Sequence, residues 1–240
     1  MINLFLRGWA ICCVRSVMVL FLFIRIYSAP AQAWKWAIGS NITQYQFTNS
    51  AGKPVDLFKL QSGLHLDIAH EHVLLDTVRL ISKFSKSAIY FSQRPKISKF
   101  LNLFHYDLGL NYNQFNAIGD VQQIAFSYQT DYVGVSAGFG PRIPLIKGWS
   151  IQVTGRMMGQ YLVSGQQLVG SRYFDLLSEP QFKGLRLFSG VQIEVNKRVN
   201  AQVSAFTHVA SYQTLFSKVT STGTLNMVPM TLAMGIRLHQ

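Results

Sequence analysis

The chain has 240 residues, with 22 Lys+Arg against 10 Asp+Glu and a formal net charge of +12. Its two cysteines, Cys12 and Cys13, stand together near the start, so neither a disulfide framework nor a Cys-metal site is expected in the rest of the chain. The basic excess suits nucleic acid or anionic lipid. No nucleic-acid motif accompanies it, which leaves lipid headgroups as the expected partner.

Residues 1–33 read as a secretory signal peptide, with Arg7 and Arg15 as the positive flank and residues 17–24 (VMVLFLFI) as the apolar stretch. Ala31, Gln32 and Ala33 form an A-x-A cleavage signal directly before Trp34. Arg25 is an unusual charge at the end of the apolar run, and an uncleaved anchor is the alternative. A spanning helix needs about 20 apolar residues, so cleavage is expected. Both cysteines precede the apolar run, which argues against lipidation. Export also argues against nucleic acid. Residues 34–240 then form one domain.

Residues 35–47 (KWAIGSNITQYQF) suggest a first strand of weak alternation, followed by turn chemistry at 48–54 (TNSAGKP). Leu64, Leu66 and Ile68 alternate with His65, Asp67 and Glu71 over 60–74. Residues 76–102 carry Arg79, Lys83, Lys86, Arg94, Lys96 and Lys99 with no acid after Asp76; within them, 78–91 reads equally as strand, helix or surface segment. The clearest strand is 103–115 (LFHYDLGLNYNQF). Phe104, Tyr106, Leu108, Leu110 and Tyr112 share one face, and His105, Asp107, Gly109, Asn111 and Asn113 the other. A tight turn is expected at 116–120 (NAIGD).

Residues 122–139 place Ile124, Phe126, Tyr128 and Tyr132 against Gln123, Ser127, Gln129 and Asp131, with parity blurring after Tyr132 as a bulge would cause. Gly140, Pro141 and Pro144 are expected to end that strand. Residues 150–164 follow the same rule, with Ile151, Val153, Met157, Tyr161 and Val163 against Gln152, Thr154, Arg156 and Gln160. A long polar connection spans 165–180. Leu185 to Val195 alternate with Arg186, Gln192, Glu194 and Asn196, and a turn is expected at 196–198. Val199, Ala201, Val203, Ala205 and Val209 oppose Asn200, Gln202, Ser204 and His208. After a loop at 217–223, Val228, Met230, Leu232, Met234, Ile236 and Leu238 oppose Pro229, Thr231, Ala233, Gly235, Arg237 and His239.

Repeated alternating segments of about 10 residues after an export signal, with no recognisable helix, predict an all-β, transmembrane, antiparallel up-and-down β-barrel. A strand protein in lipid must close on itself to satisfy its backbone. Trp34, Trp36, Trp149 and many tyrosines and phenylalanines suit interfacial belts, although Tyr106 and Phe126 fall away from strand ends. A soluble β-sandwich is the alternative. Eight strands are expected; ten would follow if 76–102 formed a hairpin. An eight-strand lumen is filled by side chains. Its expected polar network is Asp67, Glu71, Asp107, Asp131 and Glu194 with Arg156, Arg186 and Arg237. A small selective pore is the sharper alternative.

The segments LGLNYNQFNAIGD (108–120), SYQTDYVGV (127–135) and YFDLLSEPQFKG (173–184), with the terminal strand, resemble the small outer-membrane barrels of Bacteroidota-type bacteria. The resemblance covers about 107–240 and carries no activity. It implies insertion by the barrel assembly machinery through a C-terminal signal. Gly235, Ile236 and Leu238 fit that signal, while His239 and Gln240 stand where the family usually ends on an aromatic.

Two active-site arrangements have candidate residues in the chain. A lipid A deacylase would need a His-x-Ser pattern on one face, but the offset between His208 and Ser211 puts them on opposite faces of a regular strand. His65, Asp67, Glu71 and His105 present ligand types for a luminal metal, yet neighbouring His70 and His72 alternate faces with Glu71. No phosphate loop, nucleophile elbow or metal motif occurs. The expected protein is a monomeric, non-enzymatic outer-membrane barrel without cofactor. Its role is structural, or binding through outer loops, above all 165–183. Its expected partners are outer-membrane lipid and lipopolysaccharide. A narrow channel is the alternative, followed by a lipid A-modifying enzyme.

Overall fold

A computed structural model describes residues 33–55, 58–82, 95–121, 124–217, 219–220 and 223–239. The signal-peptide expectation therefore lies outside the described residues, apart from Ala33.

Eight long strands close into a ring: β1 (Ala33–Asn49), β3 (Phe58–Val73), β4 (Phe104–Val121), β5 (Ile124–Pro144), β6 (Trp149–Val169), β8 (Leu185–Arg198), β9 (Val203–Thr214) and β11 (Gly223–His239). Every neighbouring pair is antiparallel, and β1 pairs with both β3 and β11, which seals the sheet. Three short strands, β2 (Pro54–Val55), β7 (Arg172–Asp175) and β10 (Val219–Thr220), pair with β1, β6 and β11. Ala33 and His239 are register partners, so both described termini lie at one end of the barrel.

The barrel is inside-out relative to a soluble protein. Outward residues such as Ile38, Leu110, Val135, Met157, Val191 and Leu232 are exposed, while Asn41, Gln160, Glu194 and Arg237 are buried inside. A wall of apolar side chains around charged ones is stable only when lipid covers the wall. The shortest ring strand has 12 residues, enough to cross a hydrocarbon layer when tilted. Among the described residues no helix is long and apolar enough to span a membrane; the strands do the crossing. A closed antiparallel ring of this kind is the spanning fold of outer membranes, and this chain is an outer-membrane β-barrel protein.

Several elements differ from the sequence-based expectation. The first strand alternates clearly on both sides of Gly39 and Ser40 and starts at Ala33. Residues 116–120 are not a turn but continue β4, whose Val121 pairs with Ile124 of β5. Gly140 and Pro141 do not end β5, which runs on to Pro144. The turn placed at 196–198 falls instead at 199–202, between β8 and β9. The bulge lies in β6, where Asp131 pairs with Ser164 but Tyr132 with Leu162, leaving Val163 as the extra residue. Two helices also form, α1 (Leu74–Ser82) and α2 (Pro95–Leu103). Thus the described parts of 76–102 are helical; the rest of that insert, 83–94, lies outside the described residues.

Both helices lie at the terminal end. Tyr106 stacks on His72 with ring centres 5.0 Å apart, and its hydroxyl shares a 2.9 Å hydrogen bond with Thr77 of α1. Phe100 of α2 packs on Phe104, which stacks on Phe139. Tyr106 has a place in a belt after all: it stacks on His72 at the rim, His72 contacts His70, and His70 contacts Trp34.

Candidate functional site within the barrel

The lumen is filled in three layers. Nearest the termini is a cluster of charges. Arg237 donates from Nη2 to Glu194 at 2.6 Å and to Glu71 at 3.0 Å, and from Nη1 to Asn196. The Lys35 ammonium sits 2.7 Å from Glu194 and just under 4 Å from Glu71 and Asp107. Arg142 donates to both oxygens of Glu71, at 2.6 and 2.7 Å, and to Gln152. Arg156 bridges Asp107 at 3.0 Å and Asp67 at 3.5 Å, with further bonds to Gln192 and Ser136.

The charges in this layer balance: Lys35, Arg142, Arg156 and Arg237 face Asp67, Glu71, Asp107 and Glu194. Burying an unpaired charge is prohibitive, so neutrality within the layer is what makes it tolerable. Its members come from every ring strand but β9, which contributes the Phe206 ring 5.2 Å from the Lys35 ammonium and 5.5 Å from the Arg237 guanidinium. Such cation–π contacts stabilise a cation that has left water. Gly138 leaves the space: a Cβ there would stand 3.0 Å from both Asp107 oxygens.

The middle layer is an uncharged polar ladder. Thr231 donates to Asn41, Asn41 to Asn113, Asn113 to Asn111, and Gln160 to Asn111, at 2.5–3.2 Å. His65 Nδ1 lies 2.6 Å from the Asn113 side-chain oxygen Oδ1. His208 faces His65 with ring centres 5.9 Å apart.

The far layer is aromatic and apolar: Tyr45, Phe115, Tyr132, Phe188 and Tyr212 with Met158, Leu162 and Met227. The Tyr45 hydroxyl donates to the Phe115 carbonyl at 3.1 Å. Residues 176–182, between β7 and β8, fold back over this layer and bury Leu176 and Phe182. Phe182 stacks on Tyr128, and Leu176 N–H donates to the Gly165 carbonyl.

Of the residues expected in a lumen network, the structure brings Asp67, Glu71, Asp107, Arg156, Glu194 and Arg237 together. Arg186 is buried too, but in the far layer, where it donates to the Gln181 carbonyl and lies over the Phe182 ring. Asp131 points outward. It pairs across the sheet with outward Gln114 and accepts hydrogen bonds from Gln114 and the Tyr112 hydroxyl. The physical reason is that the apolar face of early β5 points inward: Phe126, Tyr128 and Tyr132 belong to the aromatic layer, so Asp131 takes the other face. Lys35 and Arg142 also belong to the ionic layer and are not among the residues expected there. Lys35 shares parity with Ala37, Asn41 and Thr43, a signal present in the sequence. Arg142 lies past the glycine and proline taken as the end of its strand.

His208 is buried inside while Ser211 is exposed outside. β9 pairs with both neighbours without a register shift, so no bulge joins the two residues on one face. His105 Nδ1 lies 3.4 Å from Glu71, and His65 sits a layer away. Among the described residues no three His, Cys, Asp or Glu groups stand close enough to hold a metal ion.

No family model matches the chain, and no curated protein matches it in sequence. Among solved structures it is similar to Neisserial surface protein A, at 11% identity over 85% of this chain and 97% of that one, with a TM-score of 0.40. The Ail attachment invasion protein of Yersinia pestis aligns at 8% identity over 87% and 99%, with a TM-score of 0.38. The outer-membrane protease OmpT of Escherichia coli aligns at 6% identity over 88% and 97%, with a TM-score of 0.45. No residue's role carries across at such identities.

Proposed function

We propose that this is a closed, non-catalytic barrel of the outer membrane that acts through the loops at the end opposite its termini, after export directed by residues 1–33. The supporting observation is the filled lumen, where a neutral ionic layer and an aromatic layer capped by 176–182 stand in series. A barrel occupied in this way offers its surface for function. At that end β6 and β7 form a projecting hairpin with Tyr173, Phe174 and Leu177 exposed, and Phe216 stands exposed in the neighbouring loop. Exposed aromatics on a rigid scaffold are contact residues by preference. The Bacteroidota-type assignment belongs to the same proposal and has the sequence motifs as its support, as does insertion by the barrel assembly machinery.

The test is surface labelling of intact cells. Cys12 and Cys13 both precede residue 33, so Ser171→Cys and Asn200→Cys each place one thiol in the exported chain. A membrane-impermeant maleimide is expected to label Ser171→Cys on intact cells and Asn200→Cys only after lysis. The reverse pattern would refute the proposed orientation. A narrow channel is the second reading, favoured by the polar middle layer. There the Thr43 hydroxyl, the Asn111 amide nitrogen and both His208 ring nitrogens have no hydrogen-bond partner among the described residues, a setting that suits water.

A further inference from the structure

The outward face of β9 lies lower than its surroundings near the termini. There β9 presents Ala205 and Thr207, while β11 presents Met234 and Ile236, β1 presents Trp36 and Ile38, and β8 presents Val195 and Lys197. Trp149, Lys197, Ala205, Ile236, Trp36 and Ile68 are successive cross-strand partners in one row around the barrel. The small side chains in the middle of this row leave a groove of about 820 Å³ between the two tryptophans.

The mouth of the groove is cationic. Lys197 extends over the Trp149 ring, with its nitrogen 5.0 Å from the ring centre, and donates to the Lys147 carbonyl at 2.7 Å. Two of its three N–H donors remain for another acceptor. Lys147 sits in the adjoining turn and Arg198 beside Lys197; Arg198 ties down the turn at 199–202 through the Asn200 and Ala201 carbonyls. Among the described residues none of these three cations is in an ion pair.

We propose that this groove is a binding site for one anionic glycerophospholipid of the leaflet at the terminal end. An acyl chain lies over Ala205 and Thr207 between Trp36 and Trp149, and the phosphate meets Lys197, with Lys147 and Arg198 behind it. The groove opens sideways into the membrane, where acyl chains are the surrounding medium. Its apolar floor and cationic mouth stand one above the other, as the two parts of a phospholipid do. A second copy of this chain would bring the same three cations to the same place and be repelled. The site is independent of any role for the opposite loops.

The test is native mass spectrometry of the exported chain in detergent, titrated with dioleoyl phosphatidylglycerol, dioleoyl phosphatidylcholine or lipid A. One phosphatidylglycerol is expected to stay bound to the monomer in preference to the other two. A cation near a charged lipid surface contributes about 1 kcal/mol, roughly fivefold in affinity. Lys197→Gln is expected to weaken retention by about that factor, and Lys197→Gln with Arg198→Gln by roughly the square of it. Ala205→Phe fills the groove from the lipid side and is expected to abolish the bound lipid. Val133→Phe, on the outward face of β5, is expected to leave it unchanged. Circular dichroism confirms folding of each variant. Equal retention of phosphatidylcholine, preference for lipid A, a dimer in place of the lipid, or a folded Ala205→Phe variant that still binds would each overturn the proposal.

Discussion

Replacing Glu194 with glutamine keeps the size of a side chain that is fully buried and removes one negative charge from a balanced set. Arg237 at 2.6 Å and Lys35 at 2.7 Å lose their nearest anion. Each contact carries about 6 kcal/mol of Coulomb attraction at an effective dielectric of about 20. Desolvation offsets most of that, and removing one partner of a buried pair costs about 3–5 kcal/mol net. Lys35→Met removes the complementary charge and is expected to destabilise to a similar degree. The double variant restores neutrality, with three cations facing three carboxylates, so it is expected to lose less than the sum of the two by at least about 2 kcal/mol. The assay is urea unfolding in micelles, followed by the fluorescence of Trp34, Trp36 and Trp149. Additivity within about 0.5 kcal/mol would refute a charge-balanced layer.

Other outcomes follow from the same geometry. Leu232→Arg, outward in the middle of β11, is expected to destabilise the barrel in lipid vesicles by about 2–4 kcal/mol, the depth-dependent penalty of a lipid-facing cation; a change within about 0.5 kcal/mol would place that face in water. Gly138→Val directs a side chain at the Asp107 carboxylate and is expected to cost about 1–3 kcal/mol by overpacking, read as a lower urea midpoint, whereas an unchanged midpoint would mean that the layer is loosely packed. In α2, Phe100→Asp removes the ring that contacts Phe104, so backbone amides at 96–103 are expected to exchange faster in vesicles while those of β11 keep their protection.

The sequence and the structure agree where a stretch of strand has lipid on one side and the polar layers on the other. Over 104–112 of β4 and 228–238 of β11 the apolar parity is the outward parity, and Asp107 and Arg237 are placed by it. Agreement fails where the lumen itself becomes apolar. Phe126, Tyr128 and Tyr132 alternate as a lipid-facing stripe would, yet they face the lumen, so Asp131 lies on the outward face and not on the luminal one that its polarity suggests. Alternation reports that two faces differ, without saying which is inside. Lys35 was legible by parity with Asn41 and Thr43, although Gly39 and Ser40 blur the pattern. Arg142 was hidden because Gly140 and Pro141 read as a break, whereas in the ring they lie within β5. The helices α1 and α2 have nine residues each, a length at which a basic apolar stretch reads as well for a strand or a surface segment. The pairing of Lys35 with Glu194 depends on the ring closing through β11 and β1, which no local pattern reveals.

Ion conductance tests the filled lumen most directly. The exported chain, refolded and inserted into a planar bilayer, is expected to give no stable conductance steps. Steps are expected once the ionic layer is thinned by Arg156→Ala with Asp107→Ala and the aromatic layer by Phe182→Ala with Phe188→Ala in one variant. Steady conductance from the unaltered barrel, changing with Arg156→Ala alone, would contradict the account and make the lumen a pore.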